Sequence, residues 1–434
     1  MGVTSSLFID VDIDDGISVT DVCLMMAGGV STMNTRLWRR RGLALRALTA
    51  TVIAAGLSAV GFVGQPAGAK TLAPLVVGDI CSCTGPEASS LGQSTPTALA
   101  WASWVNAQGG IDGHTVKVIA KDDGYSPTTA LADAQGLVEQ DHVVAIMDNS
   151  DEDAAWASYV KQQGVPVLGD TDTVAGYTNS DFFTPGLTFN NATNAGVASM
   201  KRAGVKKVAD LYCSEVAICA QSASEVKAAL PKVGGKLVYE SSIGFAAPNY
   251  EAQCLAAKDA GATGMDVADA SGIVTKVAQD CATQGYDPLE FSGDGSVSQA
   301  WLTVPAMQGN VDVQPDIPWF VHNAATKPMY AALDKYAPSV PASPNFGENA
   351  VQAWSEGVEF QLAAKAAHLS ANPTAAQIIK GLYALPKGTT LNGISPPLGG
   401  FAKGKTSNNK CFFLMGINHG KFVTLNGLKP VCTS

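Results

Sequence analysis

The chain has 434 residues, 46% of them hydrophobic and 15% charged. That apolar content excludes a disordered chain, and the length favours two domains over one. A formal net charge of −10, with no lysine- or arginine-rich run after the first 50 residues, gives no electrostatic support for binding nucleic acid or an anionic membrane surface.

In chain order, the acidic stretch at residues 10–15 precedes a basic segment at residues 33–41. Acids ahead of the basic segment do not suit an exported leader, so Met33 is read as the start and residues 1–32 as a mis-assigned upstream extension. Residues 47–64 carry no charge, and Ala67-Gly68-Ala69 stands before Lys70. A positive region, an apolar region and an A-x-A site read as a signal peptide over residues 33–69. The competing reading is an uncleaved anchor, because the apolar run approaches the roughly 18 residues that can span a bilayer. Either way the rest of the chain is extracytoplasmic.

After Lys70, apolar β-branched runs alternate with alanine-rich stretches of helical period. Strands are expected at residues 75–80, 115–121, 143–147 and 165–168, with helices at 95–107, 127–139 and 151–163. The alternation restarts with helices at 192–203, 217–233, 250–260 and 272–284, and strands at 206–212, 236–242, 265–268 and 289–292. Glycines at 204, 234–235, 261 and 285 fall where these helices should end. Two α/β units in series, each a parallel sheet flanked by helices, imply two lobes and a cleft. From Pro305 prolines crowd the sequence and predict loops, followed by helices near 347–368 and 374–383. A closing hairpin, 411–416 and 421–425, turns at Asn418-His419-Gly420. Sites in such sheets lie beyond the carboxyl ends of strands, which selects the loops after Ile80, Met147, Leu168, Tyr212, Ala268 and Ser292.

Of nine cysteines, none forms a CxxC pair, and the five histidines are scattered, so zinc-ligand spacing is missing. Cleavage before Lys70 removes Cys23 and leaves an even number, which favours disulfides in an oxidising compartment. Cys254 and Cys281 sit on successive helices around the 265–268 strand and are candidates for one bridge. Cys411 and Cys432 flank the closing hairpin, and Cys213 and Cys219 bracket a short loop that a bridge would brace. Cys81 and Cys83 remain. A bridge across one intervening residue is strained, so their state stays open.

Several segments together resemble the type I periplasmic-binding-protein family, in its branched-chain amino-acid, amide and urea receptor group. They are residues 76–86 with Thr84-Gly85-Pro86, then Leu91-Gly92-Gln93 and residues 105–113, then Gly164-Val165-Pro166-Val167. Asn249-Tyr250, residues 284–288 and residues 291–295 complete the set. The resemblance implies a two-lobed type I fold, with residues 70–190 and 320–385 as lobe 1 and 191–319 and 386–434 as lobe 2. It implies a monomer that closes on a small-molecule ligand by a hinge and delivers it to the membrane permease of an ABC importer, with no cofactor. The alternative is a ligand sensor reporting to a membrane receptor.

The same resemblance marks ligand-binding candidates. Thr84 pairs a hydroxyl with a glycine that lets backbone approach closely. Ser150 precedes the expected 151–163 helix, where related receptors grip a ligand carboxylate, although Asp151-Glu152-Asp153 occupies the first turn here. Those acids read first as a helix cap; facing the cleft, they would repel a carboxylate and favour a neutral or cationic ligand. Thr171 or Thr173 supplies the small hydroxyl after the 165–168 strand, Ser271 a contact from lobe 2, and Asp294 the acid that pairs with an ammonium. The sequence carries no GxSxG elbow and no GxxxxGK[ST] loop, and Gly293-Asp294-Gly295 is an incomplete dinucleotide loop, so an enzyme is not expected.

Overall fold

The four expected runs of the first unit become β1 (Leu75–Cys81), β2 (Val116–Asp122), β3 (Ala145–Asn149) and β4 (Val167–Gly169), and a short fifth strand that was not expected, β5 (Phe182–Phe183), joins them. They pair in the order β2-β1-β3-β4-β5, every pair parallel. β3 is buried throughout, as a sheet covered on both faces requires. The computed structural model describes residues 72–169, 173–292 and 295–433. The upstream extension, the signal segment, Thr171 and Asp294 lie outside the described residues.

The second sheet takes β6 (Lys207–Cys213), β7 (Lys236–Ile243), β8 (Gly264–Ala268), β9 (Leu289–Ser292), β10 (Val311–Gln314), β11 (Cys411–Asn418), β12 (Lys421–Leu428) and β13 (Val431–Cys432). Its order is β7-β6-β8-β9-β10-β11-β12, with β13 also on β11. The first five in that order run parallel, whereas β11 and β12 are antiparallel. The sheet is therefore mixed rather than purely parallel. A two-residue turn at His419-Gly420, both with positive φ (50° and 70°), joins β11 to β12 and forces them antiparallel.

Helices cover both faces of each sheet. The Ser94–Ala107, Lys327–Tyr336 and Glu348–Ala367 helices pack together on the first sheet, while Pro127–Glu139 and Ala157–Gln163 cover its other side. On the second sheet, Phe189–Arg202 and Ala217–Ala229 lie on one face, and Glu251–Asp259 and Ser271–Thr283 on the other. Glu348–Ala367 is buried nearly all round, the mark of a helix inside a large core.

The chain crosses between the sheets three times, near residues 184–188, 315–326 and 385–410, and the crossings hold one another. Asn409 Nδ2 donates to the Thr184 carbonyl at 2.7 Å, and the Ile317 N–H donates to the Ile394 carbonyl at 2.8 Å. Paired crossings of this kind suit a hinge between two lobes.

Some local expectations are corrected. Residues 151–163 are not one helix: a 3-10 turn spans Asp153–Ala155, and the α-helix begins only at Ala157. Asp153 is drawn inward, its carboxylate accepting the Thr173 hydroxyl at 2.5 Å, and Trp156 has a non-helical φ of −121°. The proline-rich stretch after Pro305 holds β10 and the Lys327–Tyr336 helix. Pro328 stands in that helix's first turn, where the N–H it lacks would have no partner, so it starts a helix rather than breaking one. Among the described residues four disulfides form: Cys213–Cys219, Cys254–Cys281, Cys411–Cys432 and Cys81–Cys83, the pair whose state the sequence leaves open.

Candidate ligand-binding cleft

The carboxyl ends of the two sheets face each other across a cavity of about 90 Å3 that opens to solvent. One wall comes from the loops after β1 (Glu87, Ser90, Leu91), β2 (Tyr125) and β3 (Asp151). The opposite wall comes from the loop after β6 (Val216) and the first turn of the Ala217–Ala229 helix that follows it (Ile218, Cys219), and from the loops after β8 (Asp269) and β9 (Gly295, Ser296). Phe189, just past the first crossing, and Asn349, in the first turn of the Glu348–Ala367 helix, complete it. A second chamber of about 60 Å3 shares Phe189, Ser222, Ala268 and Ser296 with the cleft and runs into the second lobe as far as Asp266. Such a concave, largely apolar space with a few polar groups is what a small molecule needs.

Tyr125 holds a left-handed backbone (φ 64°), rare for a bulky residue. Its N–H donates to Asp123 Oδ1 at 2.8 Å, and its ring meets Phe245, which follows β7, edge-on, centroids 6.2 Å apart. Strain retained in this way marks a site where position matters. Burial pushes the Tyr125 hydroxyl well above its ordinary pKa, and the carboxylates of Asp151, Glu87, Asp269 and Glu152 push it further. Asp269 is pushed up to about 7, chiefly by burial, against the lowering effect of the Ala270 N–H that donates to its Oδ1 at 2.8 Å. Its Oδ2 is shielded from solvent and accepts no hydrogen bond. No lysine, arginine or histidine is among the described residues that line the cavity.

The lobes touch directly beside this space. The N–H of Ser271 donates to Ser90 Oγ at 2.9 Å, and that of Gly272 to Ser89 Oγ at 3.0 Å. Glu348 ties both lobes as well, accepting from the Val297 N–H at 2.8 Å and from Gln314 Nε2 at 2.5 Å. The Tyr177 hydroxyl reaches Glu225 at 3.2 Å.

Of the residues marked in the sequence, Thr84, Ser150, Thr173 and Ser271 are described, and none is among those lining the cavity. Ser150 Oγ donates to Asp123 Oδ2 at 2.5 Å and accepts from the Glu152 N–H at 3.0 Å. Thr173 is tied to Asp153, and Ser271 Oγ pairs with Ser298 Oγ at 2.8 Å while accepting from Trp301 Nε1 at 3.0 Å. Thr84 is exposed, and its N–H donates to Asp122 Oδ1 at 3.2 Å. These groups shape the loops whose neighbours form the walls. Because the 151–163 segment does not start as a helix, no row of free N–H groups stands beside Ser150. The Cys213–Cys219 bridge closes the loop that carries Val216 and Ile218, and Cys219 itself lines the cavity.

Sequence reasoning missed Tyr125, Phe189 and Asp269. Tyr125 follows an edge strand whose end the strand-terminus rule covers but whose loop was passed over. Asp269 lies immediately after Ala268, within a selected loop. Phe189 had no local signal, since it reaches the site only because the first crossing places it there.

A family model described as "Periplasmic binding protein" matches residues 74–421. The chain is similar in structure to a branched-chain amino acid ABC transporter protein from Thermus thermophilus with bound valine. That likeness has 13% identity and a TM-score of 0.74, covering 83% of this chain and 97% of the other. It is also similar to a fatty acid ABC transporter substrate-binding protein from Thermomonospora curvata, at 17% identity and a TM-score of 0.70, covering 81% and 91%. An amino acid binding protein from Pseudomonas aeruginosa is 38% identical over 76 residues, which is 18% of this chain and 20% of that relative.

Proposed function

Because the chain belongs to the periplasmic binding protein family and has its two-lobed type I fold, we propose that it captures a small solute between its lobes and delivers it to the membrane permease of an ABC importer. The observation that carries this reading is the cavity between the strand ends of the two sheets, walled from both sides and bridged by Ser89, Ser90 and Glu348. Family membership implies an extracytoplasmic location, and the family is one of binding proteins rather than enzymes. On sequence alone, residues 33–69 support export. Among the described residues no helix is long and apolar enough to cross a membrane.

The proposed lobes are residues 70–190 with 320–385 and residues 191–319 with 386–434. The packing of Lys327–Tyr336 and Glu348–Ala367 against the Ser94–Ala107 helix supports returning residues 320–385 to lobe 1. Binding is tested on the exported chain by calorimetry against a panel of small solutes, followed by small-angle scattering with and without the solute that binds. The expected result is saturable one-to-one binding that alters the separation of the lobes. Absence of binding to every solute class would defeat the proposal.

A further inference from the structure

Away from the cleft, we propose a second binding site beside the hinge, which takes an uncharged aromatic molecule carrying a hydroxyl group. A pocket of about 630 Å3 lies there, against about 90 Å3 for the cleft, and its size is that of pockets that hold small molecules. Its wall includes Trp319, Phe320 and His322 of the second crossing, Tyr330 of the Lys327–Tyr336 helix, and Phe346. Gln299, from the other proposed lobe, joins them, and its N–H donates to the Phe346 carbonyl at 2.8 Å. None of these residues lines the cleft. Two groups of rings make the pocket apolar. Trp319 meets Phe320 and Phe422 edge-on, with centroids 5.5 Å and 4.8 Å away. His322 stacks on Tyr330 at 4.1 Å, and Phe346 meets Tyr330 edge-on at 6.2 Å. Another flat ring extends these clusters by contacts of the same kinds, which a saturated body of equal size cannot make.

Two polar groups of the wall lack partners, and they are of opposite kinds. Trp319 is 1% exposed, and its indole N–H has no acceptor among the described residues. A buried donor left unmet is costly, so a ligand oxygen beside it gains more than one in water. The Asp334 carboxylate is exposed and accepts no hydrogen bond among the described residues. Burial, then Asp334, push the Tyr330 hydroxyl up to about 12, so it stays protonated and keeps donating to the Trp319 carbonyl. A phenolic hydroxyl both accepts and donates, which suits the indole N–H and the carboxylate together. No lysine or arginine is among the described lining residues, so a ligand carboxylate would meet the like charge of Asp334 and no fixed counter-charge.

The test uses bicyclic probes of one size at neutral pH. They are 2-naphthol, 2-methoxynaphthalene (which accepts but cannot donate), decahydro-2-naphthol (which has the hydroxyl but no aromatic ring) and the anion 2-naphthoate. Calorimetry on the exported chain should show 2-naphthol binding about 5- to 10-fold more tightly than any of the others, the factor typical of one hydrogen bond or one aromatic contact. Two variants locate the site. Ala342→Trp, at the exposed end of the short Ser339–Ala342 helix, fills the pocket and should abolish 2-naphthol binding. Val216→Trp fills the cleft and should leave that binding unchanged. Loss in Val216→Trp, or retention in Ala342→Trp, would overturn the second site while leaving solute capture in the cleft intact. Binding by none of the probes would overturn it as well. Tighter binding of 2-naphthoate or decahydro-2-naphthol would overturn the ligand class. Trp319→Phe, which keeps a ring but removes the N–H, should weaken 2-naphthol about 5- to 10-fold. Unchanged affinity in that variant, once folded, would overturn the part given to the indole. If it does not fold, the probe series on the unaltered protein decides.

Discussion

Ser90 Oγ accepts a hydrogen bond of 2.9 Å from the backbone N–H of Ser271, a residue 181 positions away at the start of a helix in the other lobe. Ser89 does the same for Gly272. The residue before that helix is Ala270, whose side chain has no oxygen to cap it. The first lobe therefore supplies the cap that the second lobe lacks, and it can do so only when the lobes are together.

Replacing both serines should accordingly act on closure more than on folding. Ser89→Ala with Ser90→Ala is expected to weaken ligand binding by about the 0.5–2 kcal/mol typical of a lost helix cap. Scattering should show a larger radius of gyration in the ligand-free state. An unchanged radius together with unchanged affinity would show that the serines do not latch the lobes.

The protein should be most stable in acid. Asp210 and Asp266 lie directly opposite each other on β6 and β8, and Glu240 flanks Asp210 on β7, so three carboxyls form a row across the sheet. Both oxygens of Asp210 lack hydrogen-bond partners. Burial, then Asp266 and Glu240, push its pKa well above the ordinary value, and burial holds Asp266 up at about 7. Asp79 is raised to about 6 and Asp316 to about 7, both by burial. Groups raised on folding bind protons more tightly in the native state. Their stabilisation is complete below the unfolded value near about 4, and it is lost as pH rises through about 6 to 7. The rise at Asp79 alone corresponds to on the order of 3 kcal/mol. Thermal unfolding between about pH 4 and pH 8 should show a falling Tm, and Asp210→Asn should raise Tm at the alkaline end and flatten the profile. A Tm that climbs over this range would refute the account.

Two disulfides should separate stability from binding. Cys254–Cys281 closes a separation of 27 residues and Cys213–Cys219 one of 6. Loop-closure entropy assigns about 3.5 kcal/mol to the first and about 2.2 kcal/mol to the second. Serine replacement of the first pair should therefore lower Tm more. Replacement of the second should raise Kd more, because Cys219 is part of the cavity wall. Chemical denaturation and calorimetry on the two double variants check the crossed pattern; parallel losses in both measures would contradict it.

Gly357 should not tolerate a methyl group. A Cβ there would lie 2.3 Å from Cδ2 of the fully buried Trp101, whose ring packs edge-on against Phe360. An indole wedged between helices cannot swing away, so Gly357→Ala is expected to cost about 1–3 kcal/mol by overpacking, despite alanine's better helix propensity. A denaturation midpoint at or above that of the unaltered protein would show that the two helices move apart freely.

Much of the architecture was legible because it rests on short-range periodicity. The runs that became β1 and β3, the alanine-rich Ser94–Ala107 helix, and the glycines that end helices all state their role within a few residues of themselves. The hairpin turn at His419-Gly420 and the Cys411–Cys432 pairing are local in the same way. The cleft was legible only as a rule about strand ends, which pointed to the loops holding Asp151, Asp269 and Ser296 without saying which side chains face inward. That choice is made by contacts between distant segments. Ser150 turns to Asp123, Thr173 to Asp153, and Ser271 to Ser298 and Trp301, because a buried hydroxyl must satisfy itself with whatever the fold brings near. Tyr125 is set at the mouth by the carboxylate of Asp123, and Phe189 by the path of the first crossing. Periodicity and turn chemistry determined the elements. Which of their side chains line the cleft was decided by the packing of two lobes that share three crossings, since hydrogen bonds between residues 20 or more positions apart leave no local pattern to read.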